Sequence, residues 1–306
     1  MPIDLLGQYL LNTVMLGLIY ALVAVGFTLF FGVMNIIQFS HGDIVMMGAF
    51  MCLYLVGAVA SADIMPAPAQ LIVSFVFAAA LLGFVGIAIG RFLVLPMKDA
   101  PPLNVLLITL MLGTIIRECV RLFVPGGSNP IRFPPLLSTE SYSLGKFTLR
   151  LDSALMLIIG AAVLIGTRTL IKRTKLGLAI QAVGQDEETA RILGIDDRGV
   201  VLATFAIGAG LAAVAGVFSG LYYNQINFDM GLLLGVIGFS SAIVGGLGAL
   251  GGAVLGGLLF ASLQTFGTLA LPIGGEYKDI FAFTVVIAIM TWRPTGLLGE
   301  KYKERV

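Results

Sequence analysis

Charge is scarce in this chain. Of 306 residues only 11% are charged, 18 Lys/Arg against 17 Asp/Glu, whereas soluble domains average about 25%. With 58% hydrophobic residues and a mean hydropathy of +1.02, that scarcity excludes an ordinary soluble domain and predicts an all-α, polytopic membrane bundle. Histidine occurs once, at His41. A metal site needs several ligands, so no metal is expected, and His41 reads better as a hydrogen-bonding group at a helix start. The two cysteines, Cys52 and Cys119, both fall inside apolar runs, which argues against a disulfide framework. No basic cluster has the aromatic interleaving of a nucleic-acid-binding face. The opening MPIDLLGQYLLN lacks a basic n-region, so the first apolar run is expected to be a retained span, not a cleaved signal. There is no Gly-Lys-Ser/Thr loop for phosphate, and no GxSxG or HExxH pattern. The chain reads as non-catalytic and without a cofactor.

What is present is a series of apolar runs of helical length, at about 9–33, 42–60, 69–95, 103–124, 152–171, 200–222 and 277–292. The 39 glycines suit close helix packing in lipid. Eleven of them fall in residues 231–267, a stretch too long for one straight helix. It divides into segments of about 232–244 and 250–270, joined at Gly245, Gly246, Gly248, Gly251 and Gly252, and the first segment carries Ser240 and Ser241. Broken helices are tolerated at membrane depth only inside protein or along a cavity, and often mark a pathway. A tightly packed hairpin would give the same pattern. The count is eight spans if 232–270 re-enters, or nine crossings if both halves span.

Three polar clusters interrupt the runs. In MNIIQFSHGD, Ser40 and Asp43 have the form of a capping box starting the second helix, while Asn35, Gln38 and Asp43 lie near the expected membrane boundary. They suit either a structural turn or a substrate contact. Arg117, Glu118 and Arg121 sit near the far end of the fourth run, where Glu118 has either arginine as a possible partner. Residues 125–151 form the longest external loop, with a hairpin expected around Leu144 to Lys146.

Residues 168–199 gather six Lys/Arg and five Asp/Glu. The basic front edge, Arg168, Lys172, Arg173 and Lys175, predicts a cytoplasmic loop by the positive-inside bias. Within it, Leu176–Val183 has helical spacing and a stop at Gly184. Asp186 is placed to cap a second short helix with Glu187 and Glu188 in its first turn, and Gly194 offers a stop after Leu193. This looks like a docking surface, though a well-capped connection would look the same. With the basic C-terminus (Arg293, Lys301, Lys303, Arg305) also cytoplasmic, the N-terminus is external. An ATP-driven permease, a gradient-driven transporter and a non-transporting scaffold all remain open on these grounds.

Three stretches carry a resemblance: GVMNIIQFSHGDIVMMGAF at 32–50, TKLGLAIQAVGQDEETARILGI at 174–195, and AIVGGLGALGGAVLGGLLFASLQ at 242–264 with the terminal RPTGLLG. Together with length and span layout, the whole chain resembles the branched-chain amino acid ABC transporter permeases of the LivH type. The resemblance implies one transmembrane permease domain over 1–306 in a bacterial inner membrane, N-terminus periplasmic and C-terminus cytoplasmic. It implies a second permease of the LivM type, two cytoplasmic ATPase subunits (LivG and LivF types) and a periplasmic substrate-binding protein. Loop 172–199 then matches the coupling segment, with Gly177, Ala182, Gln185, Asp186, Ala190, Leu193 and Gly194 contacting the ATPase and Glu187 and Glu188 nearby. Asn35, His41, Asp43, Ser240, Ser241, Gly245 and Gly246 are the candidates for the translocation path.

Overall fold

The computed structural model describes residues 6–62, 67–98, 100–134, 141–144, 147–270 and 275–299. In chain order, α1 (Leu6–Met34), α2 (His41–Ala62), α3 (Ala67–Ile89) and α4 (Pro102–Phe123) precede the strand β1 (Ile131–Arg132), the hairpin strands β2 (Ser141–Leu144) and β3 (Phe147–Arg150), and α5 (Leu151–Arg173). Two short helices, α6 (Lys175–Gln185) and α7 (Glu187–Ile192), lead into α8 (Asp197–Tyr223), followed by β4 (Gln225–Ile226), α9 (Met230–Gly245), α10 (Leu250–Ala270) and α11 (Lys278–Trp292). Seven of these helices, α1 to α5, α8 and α10, are long and apolar enough to cross a bilayer. The helical membrane bundle is therefore as expected, and the exact count of eight is not confirmed among the described residues. α9 and α11, with 16 and 15 residues, reach about 24 and 23 Å at 1.5 Å per residue, short of a hydrocarbon core of about 30 Å.

α1 is apolar on every side, and a helix of that kind has to be enclosed. It is the central post: 89% of its most apolar window is buried, against 22% for α4 and for α5. α10 runs antiparallel to it at close range, Gly17 lying against Leu258 and Ala261 and Gly257 against the Ala21 backbone. Polar side chains fasten the same seam. Tyr20 donates to Gln264 Oε1 at 3.0 Å, and the hydroxyls of Thr13 and Thr265 are 2.7 Å apart. α8 is the second post, 72% buried by the same measure, and α2 and α3 pack along it. Gly86 and Gly90, four residues apart, both rest on Phe205 of α8.

The connection between α1 and α2 departs from the expected boundary turn. α1 ends at Met34, and Asn35 takes a left-handed conformation with φ 53°. The chain then doubles back, so that His41 lies beside Gly26, which has no room for a Cβ against the imidazole. Gly26 is eight residues before the end of α1, so the fold-back retraces about 12 Å along the helix. Gln38, Ser40, His41 and Asp43, placed near the boundary by sequence, are therefore carried into the bundle and buried. The capping box does not form. The Ser40 carbonyl accepts from Ile44 N at 2.9 Å, but the Ser40 hydroxyl is taken by Gln38 Nε2 at 3.2 Å and the Asp43 carboxylate by an arginine of α4.

The glycine-rich break falls at the turn between α9 and α10. Gly248 lies near Gly32, close to the end of α1, so this break sits at the end of the bundle and not at mid-depth. The last described segment closes over it: Leu297 N donates to the Val244 carbonyl at 2.7 Å and Leu298 N to that of Gly245 at 3.0 Å. Gly246, at φ 108°, has backbone of Leu298 and Gly299 where a side chain would go. At the opposite end, the hairpin β2–β3 forms in the expected place, its turn residues 145–146 lying outside the described residues. β1 pairs antiparallel with β4, tying the long loop to the α8–α9 connection.

Candidate functional site

The doubled-back connection assembles a polar cluster among helices with few other polar side chains. Arg117 of α4 donates through Nε to Asp43 Oδ1 at 3.0 Å and through Nη2 to Oδ2 at 3.2 Å, with side-chain exposures of 20% and 5%. Gly113, one turn back on α4, makes the approach possible, since a Cβ there would collide with the Asp43 carboxylate. Thr109, a further turn back, accepts from Phe39 N at 3.3 Å and donates to the Leu106 carbonyl at 2.9 Å. Gln38 Oε1 is buried with no hydrogen-bond partner among the described residues. Intramembrane charges of opposite sign are expected to pair, and the fork of two N–H groups on two oxygens is the strong form of that pairing.

His41 stands between the rings of Phe27 and Phe30, edge-on at centroid distances of 4.9 and 5.2 Å, and neither ring nitrogen has a hydrogen-bond partner among the described residues. It is a buried packing residue of the α1–α2 junction. Next to it, Gly42 meets the Gly231 carbonyl and Gly235 of α9 backbone to backbone. The N-terminal half of α9 is thus pressed onto the start of α2. Phe239 of α9 completes the wall, 5.7 Å from Phe27 and 5.5 Å from Phe39 between ring centroids.

The sequence candidates divide accordingly. His41 and Asp43 share the first turn of α2 but face different helices, His41 the rings of α1 and Asp43 the arginine of α4. Ser240 and Ser241 follow Phe239 on α9, Ser240 half-buried and Ser241 fully buried with its hydroxyl unpartnered among the described residues. Gly245 and Gly246 belong to the end turn under the C-terminal segment. Asn35 is exposed at the end of α1, where asparagine suits a left-handed C-cap. Replacing it by glycine is expected to leave the thermal midpoint of the assembled complex unchanged and its transport within about twofold of wild type. Valine in that conformation is expected to cost about 1–2 kcal/mol, read as a lower midpoint. A loss of transport in the glycine variant alone would assign the Asn35 side chain to the path instead.

The pairing of Arg117 with Asp43, the place of Thr109 and the Gly42–Gly231 contact are the features sequence reasoning missed. Glu118 pairs with Arg121 at 3.3 Å, as one of the two expected arrangements, which leaves Arg117 for Asp43. The signal was available in principle: these are opposite charges lying within apolar runs, and the membrane penalises either alone. The outward face of α4 carries Thr114, Glu118 and Arg121 beside exposed Met111 and Leu107, a mixture unsuited to bare hydrocarbon.

The loop between α5 and α8 forms the second site. Thr174 caps α6 by accepting from Gly177 N at 3.1 Å, and Asp186 caps α7 by accepting from Thr189 N at 2.9 Å, as its sequence predicted. α6 runs past the expected stop at Gly184 to Gln185. The reason is that Gly184 serves as a contact: a Cβ there would strike the Gly32 carbonyl at the end of α1, as one on Gly177 would strike the Leu170 and Ile171 carbonyls of α5. Gln181 Nε2 donates to the Ile171 carbonyl at 2.6 Å. α7 is held by charge. Arg191 donates to Glu187 at 2.8 Å and to Asp197 at 2.9 Å, and Lys98, in the connection between α3 and α4, donates to the same Asp197 oxygen at 2.9 Å while pairing with Glu187. Ala190 is buried and Ala182 half-buried, whereas Gln185, Glu188, Leu193 and Gly194 face outward. With Leu178, Ile192 and Leu193 exposed at 57, 80 and 74%, the loop presents an apolar patch away from the bundle.

A polytopic helical bundle with a fold-back at depth, a half-length helix and short helices seated on one end has the architecture of a membrane permease subunit. Comparison with known proteins makes the assignment specific. The family described as branched-chain amino acid transport system / permease component matches residues 9–290, and the chain belongs to it. It is 31% identical to the high-affinity branched-chain amino acid transport system permease protein BraD of Pseudomonas aeruginosa over 301 residues, 98% of this chain and 97% of that protein. It is 30% identical to LivH of Escherichia coli over 306 residues, covering 98% and 97%. To a probable LivH permease of Methanocaldococcus jannaschii it is 26% identical, with 92% and 89% covered. These relatives are transport permeases, not enzymes.

Proposed function

We propose that the chain, acting as one permease domain, is the translocation subunit of an ATP-driven importer that carries leucine, isoleucine and valine from periplasm to cytoplasm across a bacterial inner membrane. Its N-terminus is periplasmic and its C-terminus cytoplasmic. A LivM-type permease packs against the exposed face of α4, where Thr114, Glu118 and Arg121 need a polar or protein surface. Cytoplasmic ATPases of the LivG and LivF types bind α6 and α7 through Gln185, Glu188, Leu193 and Gly194, and a periplasmic binding protein delivers substrate near loop 125–151.

The observation that carries this reading is the seating of α6 and α7. An apolar patch faces outward while the inner side is fixed to the ends of α1, α3, α5 and α8 by Gly177, Gly184 and the Lys98–Asp197–Arg191 network. Nucleotide-driven closure of the ATPases moves that patch, and because the seat is rigid the motion reaches four helices together. Two packings of the bundle, inward-open and outward-open, are then biased in alternation. The path runs beside the Asp43–Arg117 pair, along α2, α4 and α9, with Ser240 and Ser241 on its α9 wall.

Proteoliposomes containing the complete complex test the reading. Leucine uptake is expected to require ATP and to fall at least about tenfold in Gly194→Trp, with the complex still assembled. Gly194 has open space around it, so the indole projects where the ATPase seats, and Gly194→Ala reports the backbone strain that any side chain meets at φ 83°. Uptake that proceeds without the ATPases would overturn the importer assignment, and ATP-dependent uptake of an amide in place of leucine would overturn the substrate.

A further inference from the structure

At the end of the bundle opposite the coupling loop, α1, α5 and α8 splay around a cavity of about 500 Å³. Its walls combine opposite charges with unpaired acceptors. Arg150 donates through Nη2 to Asp152 Oδ2 at 3.2 Å, but Asp152 Oδ1 is buried and has no partner among the described residues, and the same holds for Gln8 Oε1. Gln8 Nε2 is turned to Asn12 Oδ1, at 3.5 Å. Met15, Met156 and Leu221 give the cavity an apolar side, and Tyr222 lines it as well.

Buried oxygens without donors are costly to leave unmatched, and two in one cavity define the chemistry of what fills it. They call for N–H donors. The remaining N–H groups of Arg150 call for an anion within a few bonds of that donor, and the methionines and leucine for an aliphatic tail. We propose that this cavity is a binding site for a primary ammonium that carries a neighbouring anionic group and an aliphatic portion, the ammonium on Asp152 and Gln8 and the anion on Arg150. Two sources have this chemistry: an ethanolamine phospholipid reaching in from the surrounding leaflet, and a free aliphatic amino acid. The amino acid source rests on the importer reading above, and the lipid source does not.

The test uses the assembled complex. Native mass spectrometry with added phosphatidylethanolamine or phosphatidylcholine reads the lipid arm, and radiolabelled leucine binding in nanodiscs of phosphatidylglycerol alone reads the other. The expected result is that one of the two primary amines binds, and that phosphatidylcholine, whose quaternary nitrogen has no N–H, binds at least about tenfold more weakly than phosphatidylethanolamine when the lipid is the ligand. Asp152→Asn and Gln8→Leu are each expected to weaken that binding at least about fivefold while the complex elutes as wild type. Gln8→Leu, lying on α1 with no charge removed, guards against a folding defect in the aspartate variant. Equal retention of the two lipids without leucine binding, no binding of either amine, or binding indifferent to both substitutions overturns the proposal. Leucine binding here together with absent ATP-driven uptake would leave the site standing and remove the importer reading.

Discussion

Arg117→Leu is expected to destabilise the assembled permease by about 3–5 kcal/mol, the usual consequence of breaking a buried pair and leaving one charge behind. Asp43 is 5% exposed, and its oxygens have the arginine fork as their partner, with Gly113 pressed against them. With the guanidinium gone, the carboxylate is left ionised in a dry site or takes up a proton, and either state loosens α4 from α2, the helix it chiefly packs on. The thermal midpoint of the purified complex should fall, and leucine uptake should drop to below about a tenth. The double variant Asp43→Leu/Arg117→Leu removes both charges and is expected to recover half or more of the lost stability, because replacing an entire buried pair with apolar groups is often neutral. A single variant as stable as wild type would show that the pair is not buried in the working complex.

The second large effect is expected at the coupling loop. Gly184→Leu places a side chain where α6 meets the carbonyl of Gly32, so the helix has to lift from the end of α1. The Lys98–Asp197–Arg191 network and the seat of Gly177 on α5 remain, so ATPase subunits should still bind. Basal ATP hydrolysis is therefore expected to stay within about twofold of wild type while leucine uptake falls by at least about tenfold. ATP hydrolysis and uptake falling together would indicate lost assembly, and uptake at the wild-type level would show that the α1 contact carries no motion.

Much of this arrangement is local chemistry and was legible in sequence. The caps of α6 and α7 depend on Thr174 and Asp186 acting three residues ahead on their own backbone, so a short window suffices to find the second of them. The hairpin β2–β3 and the break before α10 are legible for the same reason. The fold-back of residues 35–40 is different. Its cause lies in glycines far apart in the chain, Gly26, Gly42, Gly113 and Gly231, which together vacate the space that the connection occupies. No periodicity reports such a vacancy. The Asp43–Arg117 pair was missed for a related reason: both charges were visible, but their 74-residue separation is bridged only once α2 and α4 are placed side by side. Gly184 shows the reverse error. It has the form of a helix stop, and the structure uses it as a contact inside the helix.

α9 is too short to be supported by lipid at both ends, and the structure adds main-chain contacts at each end. Gly231 rests on Gly42, and at the other end Val244 and Gly245 receive amide hydrogens from Leu297 and Leu298. The glycines at these contacts leave little side chain to unthread there, and the resistance of α9 to tilting lies between them, where Phe239 packs on Phe27 and Phe39. The tail beyond α11 makes one of those contacts. Whatever displaces residues 293–299 acts directly on one end of α9.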